Sequence, residues 1–232
     1  MVNKRRWFIS IVVLVVMASG IWHYFSLPKN VKEVEGLAEY DSLAQQPPFK
    51  KIVLRPFKHV VVNCDLGPVK VYLEADRKSY IEMHRNFMKY VEITYTGDTL
   101  IIHTLKTPKS TKEKPIQRQI YLHSPDLQSY WGEATQTIFS DFATNRLTVN
   151  SRSSYIRFVS CEIENLTLTT NKACNYVLDP SCSFNHVFAR INKSSALTCL
   201  ARVQTELRLT AVNLTYITLS QQNASKLRIV KD

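Results

Sequence analysis

The sequence predicts an all-β fold, a solenoid of stacked coils of about 20 residues each, and three observations carry that expectation. First, an apolar phrase recurs: RLTVN at 146–150, NLTLTTN at 165–171, HVFARIN at 186–192, ELRLTAVN at 206–213 and KLRIV at 226–230. Its leading residues, Leu147, Leu166, Val187, Leu207 and Leu227, are spaced by 19, 21, 20 and 20. Second, apolar and polar side chains alternate within each phrase, the period of a half-buried strand. Third, another apolar phrase follows about ten residues later: SYIRF at 154–158, NYVLD at 175–179, ALTCL at 196–200 and TYITL at 215–219. One coil therefore holds two strands and two bends. A coil that cannot bury its own apolar face must stack on the next. Equivalent side chains then lie about 4.8 Å apart along the stack. Tyr155, Tyr176 and Tyr216 fall near one coil position and are expected to form a column.

Taken from the start, the chain opens with a basic tail over 1–6, carrying Lys4, Arg5 and Arg6. Residues 7–28 hold no formal charge, and such a run is long enough to cross a hydrocarbon core of about 30 Å as a helix. Basic residues stay on the cytoplasmic side, which sends the rest of the chain across the membrane. A cleaved signal peptide is the competing reading, since Ala18, Ser19 and Gly20 are small enough for a cleavage site. Residues 29–50 are polar and include Pro47-Pro48, as expected of a stiffened linker. The β-domain is expected to run from 51 to 232.

Its first part, 52–105, alternates well but turns differently. VVVNC (60–64) and VKVYLEA (69–75) flank DLGP, and VEITYT (91–96) and TLIIHT (99–104) flank Gly97-Asp98. Both junctions read as hairpins, so these strands are expected to be irregular first coils or an antiparallel cap. The segment 105–118 carries Lys106, Lys109, Lys112, Lys114 and Arg118 against the single acid Glu113. It reads as a projecting loop, either simply solvated or in contact with an anionic surface. The phrases IYL (120–122), DLQSYW (126–131) and TIFSDF (137–142) fit the coil period less cleanly.

Five cysteines, Cys64, Cys161, Cys174, Cys182 and Cys199, leave at least one unpaired within the chain. Cys161 precedes Leu166 by five residues and Cys182 precedes Val187 by five. Stacked coils would bring these two within disulfide range, or into a ladder of buried thiols.

The order of phrases FKHVVVNCDLGPVKVYLEADRKSYIEMHR, VEITYTGDTLIIHTL and IYLHSPDLQSYW resembles the head (GIN-type) domain of autotransporter-adhesin-like exported proteins of Bacteroidetes. The matching elements are Phe57, Val60–Val62, Val69–Tyr72, Gly97-Asp98, Leu100–Ile102 and Pro125–Leu127, and the likeness extends over roughly 51–232. It implies a right-handed parallel β-helix at the cell envelope and no particular activity. The family's bends repeat Ser-Gly pairs, whereas this chain has no glycine after Gly132 and turns on bulkier corners such as SRSS at 151–154.

No nucleophile elbow, phosphate loop, CxxC or zinc-spaced Cys/His cluster occurs, so neither a metal nor a cofactor is expected. Glu162 and Asp179 are the carboxylates weighed for sugar hydrolysis around a bend. The net charge is +11, of which +4 belongs to residues 1–30. The remaining +7 permits anionic partners or serves solubility, and no nucleic-acid motif accompanies it.

The expected function is a non-enzymatic, membrane-anchored envelope protein presenting a flat stacked face to a glycan or envelope protein. The candidate contacts are Tyr130 and Trp131 together with the four loop lysines. A carbohydrate-active enzyme and a structural assembly protein are the alternatives. The last strand, KLRIVKD, leaves an edge through which a second copy could add.

Overall fold

A computed structural model describes residues 49–64, 69–105, 118–192, 194–211 and 216–230. The expected tail over 1–6, the span over 7–28 and nearly all of the linker lie outside these residues. Among the described residues, no helix is long and apolar enough to cross a membrane.

The first strands are β1 (Phe49–Val53), β2 (His59–Cys64), β3 (Val69–Ala75), β4 (Tyr80–His84), β5 (Val91–Thr96) and β6 (Thr99–Thr104). Then come β7 (Gln119–Ser124), β8 (Ser129–Glu133), β9 (Thr135–Ser140), β10 (Ala143–Arg152), β11 (Tyr155–Val159) and β12 (Glu162–Lys172). The last are β13 (Asn175–Leu178), β14 (Ser183–Ile191), β15 (Ala196–Cys199), β16 (Arg202–Ala211), β17 (Tyr216–Leu219) and β18 (Leu227–Val230). Two single-turn helices, α1 (Arg85–Met88) and α2 (Gln221–Ala224), interrupt them.

The strands form two nine-stranded sheets. The first is ordered β1-β4-β7-β3-β9-β11-β13-β15-β17 and the second β18-β16-β14-β12-β10-β8-β2-β6-β5. From β8 onward the chain alternates between them, and each of these strands pairs in parallel with the one two positions later. Leu147 opposes Leu166, Leu166 opposes Val187, Val187 opposes Leu207 and Leu207 opposes Leu227. The recurring phrases are therefore neighbours, in the register their spacing predicted.

The apolar sides of both sheets share one core. Phe139 and Phe158, paired between β9 and β11, stack at 4.7 Å and 7°. Phe184 from the second sheet meets Phe158 edge-on at 6.1 Å. From β8 onward the bends are made without glycine: Ala134, Asp141, Ser153, Ser160 and Ser194 all take positive φ, between 52° and 64°. Each costs about 1–2 kcal/mol of backbone strain. Hydroxyls fill in at these corners. The Ser154 hydroxyl accepts from the Thr135 N–H at 3.1 Å, and the Ser195 hydroxyl from the Cys174 N–H at 3.0 Å.

Three expectations are corrected. β1 starts at Phe49, two residues inside the expected linker, because that ring packs edge-on against Tyr121 at 5.7 Å and is buried. The strands flanking DLGP are not hairpin partners: β2 pairs with β6 and β8, while β3 pairs with β7 and β9 in the other sheet. The turn itself, 65–68, lies outside the described residues. Only β5 and β6 form the expected hairpin, around Gly97 at φ 62°. The tyrosine column also breaks. Tyr155 and Tyr216 share an outward row through Asn175 and Ala196, whereas Tyr176 is one step on, in the inward row with Ile156 and Leu197. Tyr176 is buried, and its hydroxyl donates to the Thr169 carbonyl at 2.8 Å.

At the end of β13, Asp179 accepts from the Arg157 guanidinium at 2.8 Å and from the Ser181 N–H and hydroxyl at 3.2 and 3.1 Å. Burial works to raise its pKa, but the Arg157 and Ser181 donors outweigh it and hold the carboxyl below the ordinary 3.8. A depressed folded-state pKa contributes stability above the unfolded value, lost as pH falls through the folded one. Asp179→Asn is therefore expected to lower the melting temperature at pH 7, with the gap from the native chain closing below about pH 4. Thermal melts between pH 3 and 7 check this. A gap independent of pH would remove the ion pair as its cause.

Candidate binding face on the second sheet

Alternation decides which side chains the second sheet turns outward. Along β8, Tyr130 and Gly132 point into the core, and Ser129, Trp131 and Glu133 point out. Tyr130 is 1% exposed, so its proposed role as a surface contact is corrected. Its hydroxyl bonds the Thr137 hydroxyl at 2.6 Å and the Thr135 hydroxyl at 3.3 Å. Burial pushes the phenol well above its ordinary pKa. Gly132 makes room for it, since a Cβ there would sit 2.7 Å from the Tyr130 ring. Trp131, in contrast, lies half-buried on the outer face. Its neighbours across the sheet are Val61 on β2 and Asn150 on β10, and Ile101 on β6 continues the row. An apolar strip of Ile101, Val61 and Trp131 thus runs into a polar row of Asn150, Thr169 and Arg190.

Nearer the strand starts, the ladder breaks at the same place in successive coils. Asn145, Glu164 and Asn185 drop out of the pairing, and β16 sets two residues, Gln204 and Thr205, against the single Asn185. Two residues rather than one then separate inward-facing side chains, as in Ile163 to Leu166 and Phe184 to Val187. The local bend opens a groove of about 550 Å³ lined by Asn145, Glu162, Glu164, Ser183, Asn185 and Gln204 among others. Gln204 donates to the Ser183 hydroxyl at 3.0 Å, and the Asn165 amide donates to the Asn145 carbonyl at 3.3 Å. Beside the groove, His186 and Phe188 project from β14 with nearly parallel rings 6.0 Å apart. The periodicity signal for this groove was present in the sequence as the I-x-x-L and F-x-x-V spacings, which depart from strict alternation.

The other residues singled out are distributed elsewhere. Lys106, Lys109, Lys112 and Lys114 lie outside the described residues. Glu162 faces the groove, while Asp179 is held by Arg157 on the first sheet, so the two carboxylates are not brought together. Cys161 and Cys182 do meet at one corner, as free buried thiols. The Cys182 sulfur accepts from the Cys161 N–H at 3.3 Å. The contact between the two side chains, followed by burial, raises the Cys161 thiol, and the same contact lowers Cys182. Burial pushes Cys199 up to about 12.

A polar network that sequence reading missed lies on the first sheet. His123 stacks on Tyr80 at 4.0 Å and meets Glu74 at 3.5 Å, and Ser140 donates to the same carboxylate at 3.4 Å. Tyr80 donates to Asp76 at 2.8 Å, and Lys51 sits 3.2 Å from the Tyr80 ring centre. The carboxylate stands between hydroxyl and imidazole, which is not the order of a nucleophilic triad. The network ties β1, β3, β4, β7 and β9 together. Among the described residues, no group of three or more His, Cys, Asp or Glu side chains is placed to hold a metal ion.

Comparison with protein-family models finds no match, and comparison with curated proteins finds none either. Solved structures do match. A "putative adhesin" from Bacteroides fragilis is 14% identical, with 79% of this chain and 94% of that one covered and a TM-score of 0.50. A "putative adhesin" from Parabacteroides merdae is 12% identical, covering 79% and 92%, at a TM-score of 0.41. A "putative lipid binding protein" from Parabacteroides distasonis is 12% identical, covering 81% and 98%, at 0.38. At such identities the first of these speaks for a shared fold and for nothing finer.

Proposed function

We propose that the chain is a non-enzymatic cell-envelope protein whose strands wind as a right-handed parallel β-helix and whose second sheet presents its outer face to a binding partner. The observation that carries this reading is Trp131, turned outward beside Val61 and Ile101 and bordered by the polar row of Asn150, Thr169 and Arg190. Exposed aromatic anchors flanked by polar groups are the usual energetic centre of a binding surface. The fold shared with the Bacteroides fragilis "putative adhesin" agrees with adhesion. Residues 7–28 supply the export signal, as an anchor or a cleaved leader, and the loop lysines add a cationic contact for an anionic surface.

The test uses beads carrying the full chain, offered to isolated cell envelopes. Trp131→Ala is expected to cut adherence about tenfold or more without moving the melting temperature. Equal adherence of the two proteins would remove this face from the function.

Self-assembly is the second reading, favoured by the C-terminal end of the stack. Ile229 continues the inward row of Val149, Leu168, Ala189 and Leu209, yet it is 63% exposed, with β18 the last of the described strands in that sheet. A second copy adding to β17 and β18 would cover it, with Lys226 and Arg228 as charges that restrain unlimited growth.

A further inference from the structure

We infer that the groove across β10, β12, β14 and β16 binds a neutral glycan chain, a reading that rests on the outer face of the second sheet being the binding surface. The groove crosses four strands, so it extends about 14 Å at 4.8 Å per strand, the reach of a short oligosaccharide rather than one ring. Its side chains suit a polyol. Asn145, Asn185 and Gln204 each offer both a donor and an acceptor, Ser183 a hydroxyl, and Glu162 and Glu164 acceptors that take two hydroxyls apiece. At the repeated ladder break each strand turns two consecutive side chains outward, the first into the groove and the second beside it: Asn145 with Arg146, Glu164 with Asn165, Asn185 with His186.

The sign of charge narrows the class. The described lining side chains include two exposed carboxylates and no cation, which disfavours sulfated or uronate-rich chains, although Arg146 stands at the rim beside Asn145 and the Lys226 ammonium bonds the Gln204 carbonyl. Arg202 continues the row of Glu162 and Ser183, but it stands at the end of that row and is not among the lining side chains. Past Asn185, His186 and Phe188 stack with nearly parallel rings 6.0 Å apart and offer apolar ring surface to the C–H faces of sugars, while Arg208 on the neighbouring β16 sits 5.5 Å from the Phe188 ring. Apolar wall and convergent polar groups together are the ordinary make-up of a small-ligand site.

Titration calorimetry on the full chain in a zwitterionic detergent tests the assignment. The probes are linear neutral tetrasaccharides built from glucose, mannose, galactose or N-acetylhexosamine, each with a sulfated counterpart. At least one neutral tetrasaccharide is expected to bind, and its sulfated form about tenfold more weakly. Glu164→Gln and Asn145→Ala are each expected to weaken binding about tenfold, the worth of a hydrogen bond to a charged or bidentate partner, at an unchanged melting temperature. Tyr216→Ala, at the other sheet's exposed edge, is expected to leave it unchanged. Absence of any neutral ligand, tighter binding of the sulfated forms, or indifference to both groove substitutions would each overturn the glycan assignment. If envelope adherence depends on Trp131 while no tetrasaccharide binds, the partner is a protein and only the glycan assignment falls. If neither holds, the binding face falls with it.

Discussion

Phe158→Ala is expected to destabilise the protein by about 3–5 kcal/mol, the cost of removing a large ring from a core that cannot collapse around the gap. Phe158 is fully buried, its ring stacked on Phe139 at 4.7 Å and met edge-on by Phe184. It therefore touches both sheets, and its loss opens a void that three coils share. Urea denaturation of the full chain measures the effect, with Phe158→Leu as a volume-sparing control expected to cost less than about 1.5 kcal/mol. A loss below about 1 kcal/mol for the alanine variant would mean that the two sheets do not share one interior at this level.

The second large effect is expected at Asn223, on the single turn α2 that follows β17. This side chain is fully buried. Its amide nitrogen donates to the Ala201 carbonyl at 2.8 Å and to the Cys199 carbonyl at 3.1 Å, and its oxygen accepts from the Val203 N–H at 3.3 Å. It thereby satisfies the corner of the coil beneath it where no further coil does so. Asn223→Ala strands the Ala201 carbonyl and the Val203 N–H in the core, while the Cys199 carbonyl keeps the Ser220 N–H at 3.1 Å, and is expected to cost about 2–4 kcal/mol. The loss should appear first as faster exchange of the amides in β16 and β17. Uniform exchange across all strands would contradict a local plug. The same variant bears on self-assembly. With the end loosened, light scattering should rise with concentration if copies add there, and a monomer at every concentration would count against that reading. Burial also places Asn223 beyond the reach of a glycosyl-transferring enzyme in the folded chain, although N-A-S at 223–225 reads as an acceptor sequence.

Much of this was legible in the residues because stacked strands must repeat their inward side chains at one pitch. Leu166 opposite Val187 follows directly from their spacing. The first strands were harder. VVVNC and VKVYLEA alternate as well as any hairpin, but alternation specifies faces, not partners, and the chain sends them to different sheets. The Tyr130-Trp131 pair shows the same limit at one residue's resolution. Two adjacent aromatics cannot both face the core, and only the inward gap left by Gly132 shows that Tyr130 is the one that does. The first-sheet network of Glu74, Tyr80, His123 and Ser140 joins residues as far apart as 66 positions, with no local pattern to announce it.

In-register parallel stacking has a consequence for how such a chain can vary. Leu147, Leu166, Val187 and Leu207 present the same seam to whatever comes next, so a rung left out or duplicated meets an identical join. The cross-section is indifferent to the number of floors. Length, and with it the extent of the exterior, is free to drift by whole storeys while each storey's interior stays under the same constraint.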